Sequence, residues 1–299
     1  MTHVITLIGD PNITPLAPAV IDAARSAISA IGGKTGDVGW LSDEKACDLP
    51  TEAIDPRDAV PAVQAAMDGL PIDVVGQEIK HRRKKLLVAD MDSTIIQQEC
   101  IDEIADFVGC RAEVSAITER AMKGEMDFPE AVRARAQMFA GLDAEVLERA
   151  YRERITLTPG AESLVRVMRK SGAVTALVSG GFTQFTSHVA ARTGFNHHHG
   201  NELEINAGKL TGKAVEPIKG GESKVQLLKH YCRELGITPA QTLAVGDGAN
   251  DIPMIKVAGL GVAFHGKPSV TAAAAAQIKF GDLTALLFVQ GFCDSEINA

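Results

Sequence analysis

Four apolar residues that end in two carboxylates constrain this chain more than any other stretch. Leu86-Leu87-Val88-Ala89 follows a basic run at 81–85 and leads into Asp90-Met91-Asp92-Ser93-Thr94. An uninterrupted apolar run bounded by charge reads as a strand buried on both faces, as in a parallel sheet. Ligands of such sheets gather at the carboxyl ends of the strands, where Asp90 and Asp92 stand. Two carboxylates this close repel each other unless a cation or a shared proton relieves them. The pair points to a magnesium site or an acid/base couple, against the plain alternative of a solvated acidic loop.

Three further clusters fall at strand ends or helix starts downstream. The apolar run at 173–178 enters Ser179-Gly180-Gly181, with a helix expected from about Thr183. Glycines at a strand-to-helix turn let backbone N–H groups approach an anion closely, and Ser179 adds a hydroxyl donor. Gly220-Gly221-Glu222-Ser223-Lys224 opens another helix, without the glycine spacing or preceding strand of a Walker A loop. Lys224 adds a cation there. The strand at 242–245 ends in Gly246-Asp247-Gly248-Ala249-Asn250-Asp251, whose oxygen donors suit a hard cation such as Mg²⁺. Carboxylates, a hydroxyl, backbone donors and a lysine form the inventory of phosphoryl transfer, where catalysis is mainly positioning and charge neutralisation. A base-activated serine hydrolase needs a histidine at a strand end, and none is well placed.

Between the first two clusters, residues 101–154 are rich in Ala, Glu, Arg and Met and hold no convincing strand. An all-helical insertion at that point sits over the sheet end like a lid. Arg133 and Arg135 lie two apart on its helix, so at most one of them faces the site. His197-His198-His199 reads as a polar loop, because consecutive side chains cannot converge on one ion. Residues 203–216 suggest a β-hairpin turning at Asn206-Ala207-Gly208.

Residues 1–80 read as a separate unit in the order βαββαβ, that of a ferredoxin-like sandwich. Its expected elements are strands at 3–8, within 34–51 and at 71–75, with helices at 17–31 and 57–67. A regulatory or dimerising role is expected, because no residue there has catalytic spacing. The basic run at 81–85 reads as a solvated linker. Aromatics make up only 4% of the 299 residues, so the core must be aliphatic. A net charge of −8 disfavours a nucleic-acid surface. Five cysteines without CxxC spacing fit free thiols in a reducing compartment. Without an apparent signal peptide or an apolar run of spanning length, a cytoplasmic location with no membrane partner is expected.

The order DMDST, SGG, a lysine at a helix start and GDGAND resembles the four motifs of the haloacid dehalogenase-like phosphohydrolases over about residues 86–290. The longer forms, Asp90 to Glu99 followed by Ile101-Asp102-Glu103-Ile104-Ala105, with SGGF and GDGANDIPM, are similar to the phosphoserine phosphatases within them. The resemblance implies an α/β fold: a Rossmann-like three-layer parallel sheet core at 81–299 with an inserted helical cap at about 97–157. It also makes residues 1–80 similar to the ACT-like domain of longer members, with a homodimer through that unit.

By the same resemblance Asp90 is the nucleophile that forms an aspartyl-phosphate, and Asp92 the acid and then the base. Mg²⁺ is held by Asp90, the Asp92 backbone carbonyl and Asp247, with Asp251 supporting that shell. Ser179, the Gly180 amide and Lys224 bind phosphate oxygens, and Asn250 sits beside them. Glu99 matches the position that meets the ammonium of O-phosphoserine, and Arg135 the one that grips its carboxylate. His265-Gly266-Lys267-Pro268 departs from the family in having Gly where Ala is frequent. The rival readings are transfer of the phosphoryl group to another alcohol, and an amino-acid sensor with a vestigial site.

Overall fold

The computed structural model describes every residue except 123 and 124. In chain order the elements are β1 (His3–Ile8), α1 (Pro18–Ala30), β2 (Lys34–Thr35), β3 (Gly39–Ser42), β4 (Ala46–Glu52), α2 (Pro56–Ala66) and β5 (Asp73–Glu78). There follow β6 (Leu86–Ala89), α3 (Cys100–Val108), α4 (Arg111–Met122), α5 (Phe128–Gln137), α6 (Glu145–Arg154), α7 (Ala161–Lys170), β7 (Val174–Phe182) and α8 (Thr183–Thr193). Next come β8 (His197–Asn201), β9 (Leu203–Asn206), β10 (Lys209–Ala214), α9 (Gly221–Glu234), β11 (Thr242–Gly246) and α10 (Ile252–Val257). The chain closes with β12 (Leu260–Phe264), α11 (Pro268–Ala273), β13 (Ala276–Ile278), α12 (Ala285–Val289) and α13 (Asp294–Ile297).

The second sheet is parallel, in the order β13-β12-β11-β6-β7-β8. Its central strand β6 is the apolar run the sequence singled out, and all four of its residues are fully buried. Ala89 pairs with Val245 on one side and Leu177 on the other. The three segments that follow these strands therefore emerge at one edge, which is why distant motifs meet. Leu87 and Ala89 face one core cluster, and Leu86 and Val88 the other, as the two-residue side-chain period of a strand demands.

The helices α3 to α6 rise between β6 and α7, above that edge. α5 starts sharply because Asp127 accepts from the Glu130 amide while the Glu130 carboxylate accepts from the Asp127 amide. The β9–β10 hairpin props this insertion: Gly141 donates to the Leu210 carbonyl (2.8 Å) and Leu210 to the Leu142 carbonyl (2.9 Å). The first sheet is antiparallel, β2-β4-β1-β5 with β3 on β4, and α1 and α2 pack beside it. It has one more short strand than the expected order, and its last strand lies at 73–78 rather than 71–75.

Three expectations need correction. β7 does not stop at Val178 but runs through Ser179-Gly180-Gly181 to Phe182, with a register shift between Val178 and Phe182. His197-His198-His199 is not a loop but the start of edge strand β8. Its imidazoles pair with protein groups: His199 with the Tyr231 hydroxyl (2.7 Å), His198 with Thr186 (2.9 Å), while His197 stacks on Tyr231. Burial and the neighbouring imidazoles depress His199 to about 4.

The third correction concerns the basic run, which is not a solvated linker. Arg82 reaches back to Asp48 (2.5 and 2.7 Å) and Thr6 (2.9 Å), and across to the carbonyls of Val289 (2.7 Å) and Phe288 (3.1 Å). Lys84 is buried and donates to the Ala240 carbonyl. The guanidinium rivets the first sheet to helix α12 because its five donors serve a carboxylate and several carbonyls at once.

Candidate active site

Asp90 extends β6 by one hydrogen bond, from its amide to the Val245 carbonyl (3.0 Å), so its carboxylate is launched from the rigid centre of the sheet. Oδ1 accepts from the Met91 amide (2.8 Å) and meets Lys224 Nζ at 2.7 Å. The chain then turns tightly through 91–95, with Ser93 at φ 51°. This turn brings the Asp92 carboxylate round to accept from the Cys100 amide (2.8 Å) and the Ser179 hydroxyl (3.0 Å). Burial first, and the charge of Asp90 second, push the Asp92 carboxyl upward.

Lys224, on the first turn of α9, is fully buried between Asp90 and Asp251 (2.6 Å). Burial alone works against its charge, but the two carboxylates outweigh it and raise its pKa. Asp251 is committed on both oxygens, to Lys224 and to the Gly248 amide (3.1 Å). Position 246 has to be glycine, since a Cβ there would land on the Asp251 carboxyl. Asp247 is buried, and Lys267 approaches it at 3.2 Å. Asn250 reaches toward Asp90 at 3.5 Å.

These groups floor a cleft of about 170 Å³ whose walls come from the helical insertion. Glu99, Phe128, Val132 and Arg135 face Asp90, Asp92, Gly180, Gly181, Asp247 and Asn250 across it. Glu99 accepts from the Ser93 hydroxyl (2.9 Å) and keeps some solvent contact. Surrounding protein and the charge of Asp92 nonetheless hold its carboxyl up at about 7. Arg135 is half-buried and held by the Ala131 carbonyl (3.1 Å), while Arg133 points outward to Glu216 (2.7 Å). Of the two arginines, only Arg135 lines the cleft.

Apart from Arg133, the residues singled out as candidates in the sequence thus meet here, Ser179, Lys224 and Asp251 lying just behind the cleft wall. Two of the facing groups, Lys267 and Phe128, were given no role by the sequence. Lys267 follows the end of β12, where the strand-end rule points, but it lies in no acidic or glycine-rich cluster. Phe128 is legible only as the residue after a helix cap.

The carboxylates of Asp90, Asp247 and Asp251 offer oxygens within 4.8 Å of one another. Three buried carboxylates against one buried lysine form an all-oxygen donor set short of positive charge, which fits a hard divalent cation. Each Asp251 oxygen already accepts one hydrogen bond, which leaves Asp90 and Asp247 as the side chains with the freer oxygens for the ion. The Asp92 carboxylate is turned elsewhere, leaving only the backbone of that residue for the role.

The chain matches the model of the haloacid dehalogenase-like hydrolase family over residues 87–256. It is 44% identical to a phosphoserine phosphatase of Polaromonas sp. over 224 residues, 73% of this chain and 95% of that one. It is 40% identical to a phosphoserine phosphatase of Streptomyces coelicolor over 80% of its own length, but spans only 58% of that longer protein. Among solved structures, a probable phosphoserine phosphatase from Vibrio cholerae, unliganded, superposes with a TM-score of 0.80 at 29% identity, covering 97% of this chain and 86% of that one.

Proposed function

The chain belongs to the haloacid dehalogenase-like hydrolases, and on that premise we propose that it hydrolyses O-phospho-L-serine to L-serine and phosphate, the closing step of serine synthesis. One observation carries the choice of substrate. Within a single cleft, a carboxylate (Glu99) and a guanidinium (Arg135) face the Asp90–Lys224 pair. An amino acid bearing a phosphate has an ammonium for the first, a carboxylate for the second and a phosphoryl group for the third.

In this reading an Asp90 carboxylate oxygen attacks phosphorus, and the bond from phosphorus to the serine oxygen breaks. Asp92 gives its proton to that oxygen, a role its raised pKa favours. The resulting Asp92 carboxylate takes a proton from water as the water oxygen attacks the aspartyl-phosphate, and the bond to Asp90 breaks. Ser179, the Gly180 amide and Lys224 hold phosphate oxygens, with Asn250 beside them. Lys224 also fixes the nucleophile. Magnesium, taken by Asp90, Asp247 and the Asp92 backbone carbonyl, would supply neutralisation of phosphate charge. Residues 1–80 are read as an ACT-like unit with a regulatory or dimerising role. A cytoplasmic location is supported by five free cysteines.

The test is phosphate release from a panel of phosphomonoesters with Mg²⁺ and no added alcohol. Phosphoserine should be turned over well ahead of glycerol phosphate and other esters lacking an amino-acid head. Equal rates across the panel would overturn the choice of substrate, and a requirement for an alcohol acceptor would overturn hydrolysis.

A further inference from the structure

Asn201 is fully buried at the end of β8, and nothing in the chemistry above uses it. Its amide nitrogen donates to the carbonyls of Gly180 (2.8 Å) and Lys219 (3.0 Å), and its oxygen accepts from the Lys219 amide (2.6 Å). One side chain thus joins the turn at 179–181 to the loop at 219–221 from which α9 and Lys224 spring. The Lys219 ammonium closes the same joint on the Gly200 carbonyl (2.9 Å).

The ladder explains why an amide is needed. After Val178 pairs with His199, the next pair is Phe182 with Asn201, so residues 179–181 bulge out opposite Gly200 alone. A bulge leaves backbone groups without ladder partners. The Gly180 carbonyl finds Asn201, and the Gly181 amide finds the Ser179 hydroxyl (2.8 Å). The Gly180–Gly181 peptide is therefore pinned at both ends. Gly180 and Gly220 also lie under the same ring, since a Cβ at either would meet Phe128 at 2.9 or 3.1 Å. The spacing of two glycine backbones beneath the insertion is set by the side chain that ties their loops. An apolar residue at 201 would strand the Gly180 carbonyl and both backbone groups of Lys219.

We propose that Asn201 is a positioning residue that makes the 179–181 turn and the 219–221 loop a single phosphate cradle. This rests on the phosphohydrolase reading of the cleft. Its test compares Asn201→Ser, which keeps one donor, and the isosteric Asn201→Asp, which sets an oxygen against two carbonyls, with Asn196→Ala. Asn196 also ties β8 to β7, through Thr175, but at the opposite end of the strand. Inorganic phosphate binding is measured by calorimetry with Mg²⁺, alongside KM, kcat and melting temperature with phosphoserine.

Whichever Asn201 variant folds should bind phosphate at least tenfold more weakly and show a raised KM. Asn196→Ala should lose melting temperature while keeping phosphate affinity within twofold. Folded Asn201 variants with phosphate affinity within twofold of the parent, or weakening matched by Asn196→Ala, would overturn the inference and leave the reaction standing. A parent protein whose phosphate binding is weakened by the Asn201 changes yet releases none from phosphoserine would uphold the inference and overturn the substrate reading.

Discussion

Two buried ionic clusters hold this molecule, and they are built on opposite principles. At the joint between the first sheet and helix α12, Arg82 meets one carboxylate, Asp48, and spends its other donors on a hydroxyl and two carbonyls. At the edge of the parallel sheet, Lys224 faces Asp90 and Asp251, with Asp247 close by. Lys267 offers the second positive charge, but its side chain is 65% exposed. The first cluster is balanced and fully hydrogen-bonded, and such a cluster fastens parts together. The second gathers three carboxylates around one buried lysine in a place where charge is costly, so a retained proton or an added cation is needed to relieve it. Balance marks structure, and imbalance marks chemistry.

The sharpest way to break that comparison is to neutralise one member of the unbalanced cluster. Asp90→Asn should cut phosphate release from phosphoserine more than about a thousandfold, roughly 4 kcal/mol of barrier, while the protein stays folded. Acid-quenched samples of the parent should carry hydroxylamine-labile phosphate and those of the variant none. Labelled phosphate on a serine would sink the assignment.

Arg82→Ala should do the reverse. Leaving Asp48 buried without its partner should cost about 3 kcal/mol in urea unfolding, with kcat unchanged in the folded enzyme at 25 °C. If kcat collapsed without a loss of stability, the joint would be part of the catalytic assembly.

The next effect separates two arginines two residues apart. If Arg135 grips the substrate carboxylate as proposed, Arg135→Ala should cost about 2 kcal/mol in kcat/KM for phosphoserine through the lost charge-assisted hydrogen bond. A phosphomonoester without a carboxylate should be nearly untouched. Arg133→Ala, which removes only an exposed pair with Glu216, should change either rate by less than about threefold. Interchanged results would mean that the insertion presents its other face.

The smallest effect is on pH. Folding raises the Glu99 carboxyl from 4.5 to about 7, so across that window the folded protein keeps a proton that the unfolded chain has released. Stability of the metal-free protein should therefore fall as pH rises from 4.5 to 7. Part of the slope should vanish in Glu99→Gln, read by urea denaturation in a chelator. An unchanged slope would mean that folding does not hold this proton on Glu99.

Much of the site was legible because strand ends are local events. Leu86 to Asp92 and Thr242 to Asp251 declare a buried strand, its end and its carboxylates within ten residues. The helical insertion was legible for the same reason, as was the hairpin at Asn206-Ala207-Gly208. The role of Arg82 was not. Its partners lie 34 and 207 positions away, and a basic run looks alike whether its charges meet water or carbonyls. Asn201 was unreadable as well, since one asparagine at a strand end carries no pattern.

Sequence alone determined which backbone becomes a buried strand and which carboxylates stand at its end. Periodicity and local charge act over a few residues, and no distant partner is needed to impose them. Only the tertiary structure decided which groups are left without balance. It set Lys224 between two carboxylates, turned Arg135 inward and Arg133 outward, ran β7 through the glycine turn, and made a run of basic residues into a rivet. Desolvation and hydrogen-bond completion are properties of a group's surroundings, and residues distant in the chain supply those surroundings.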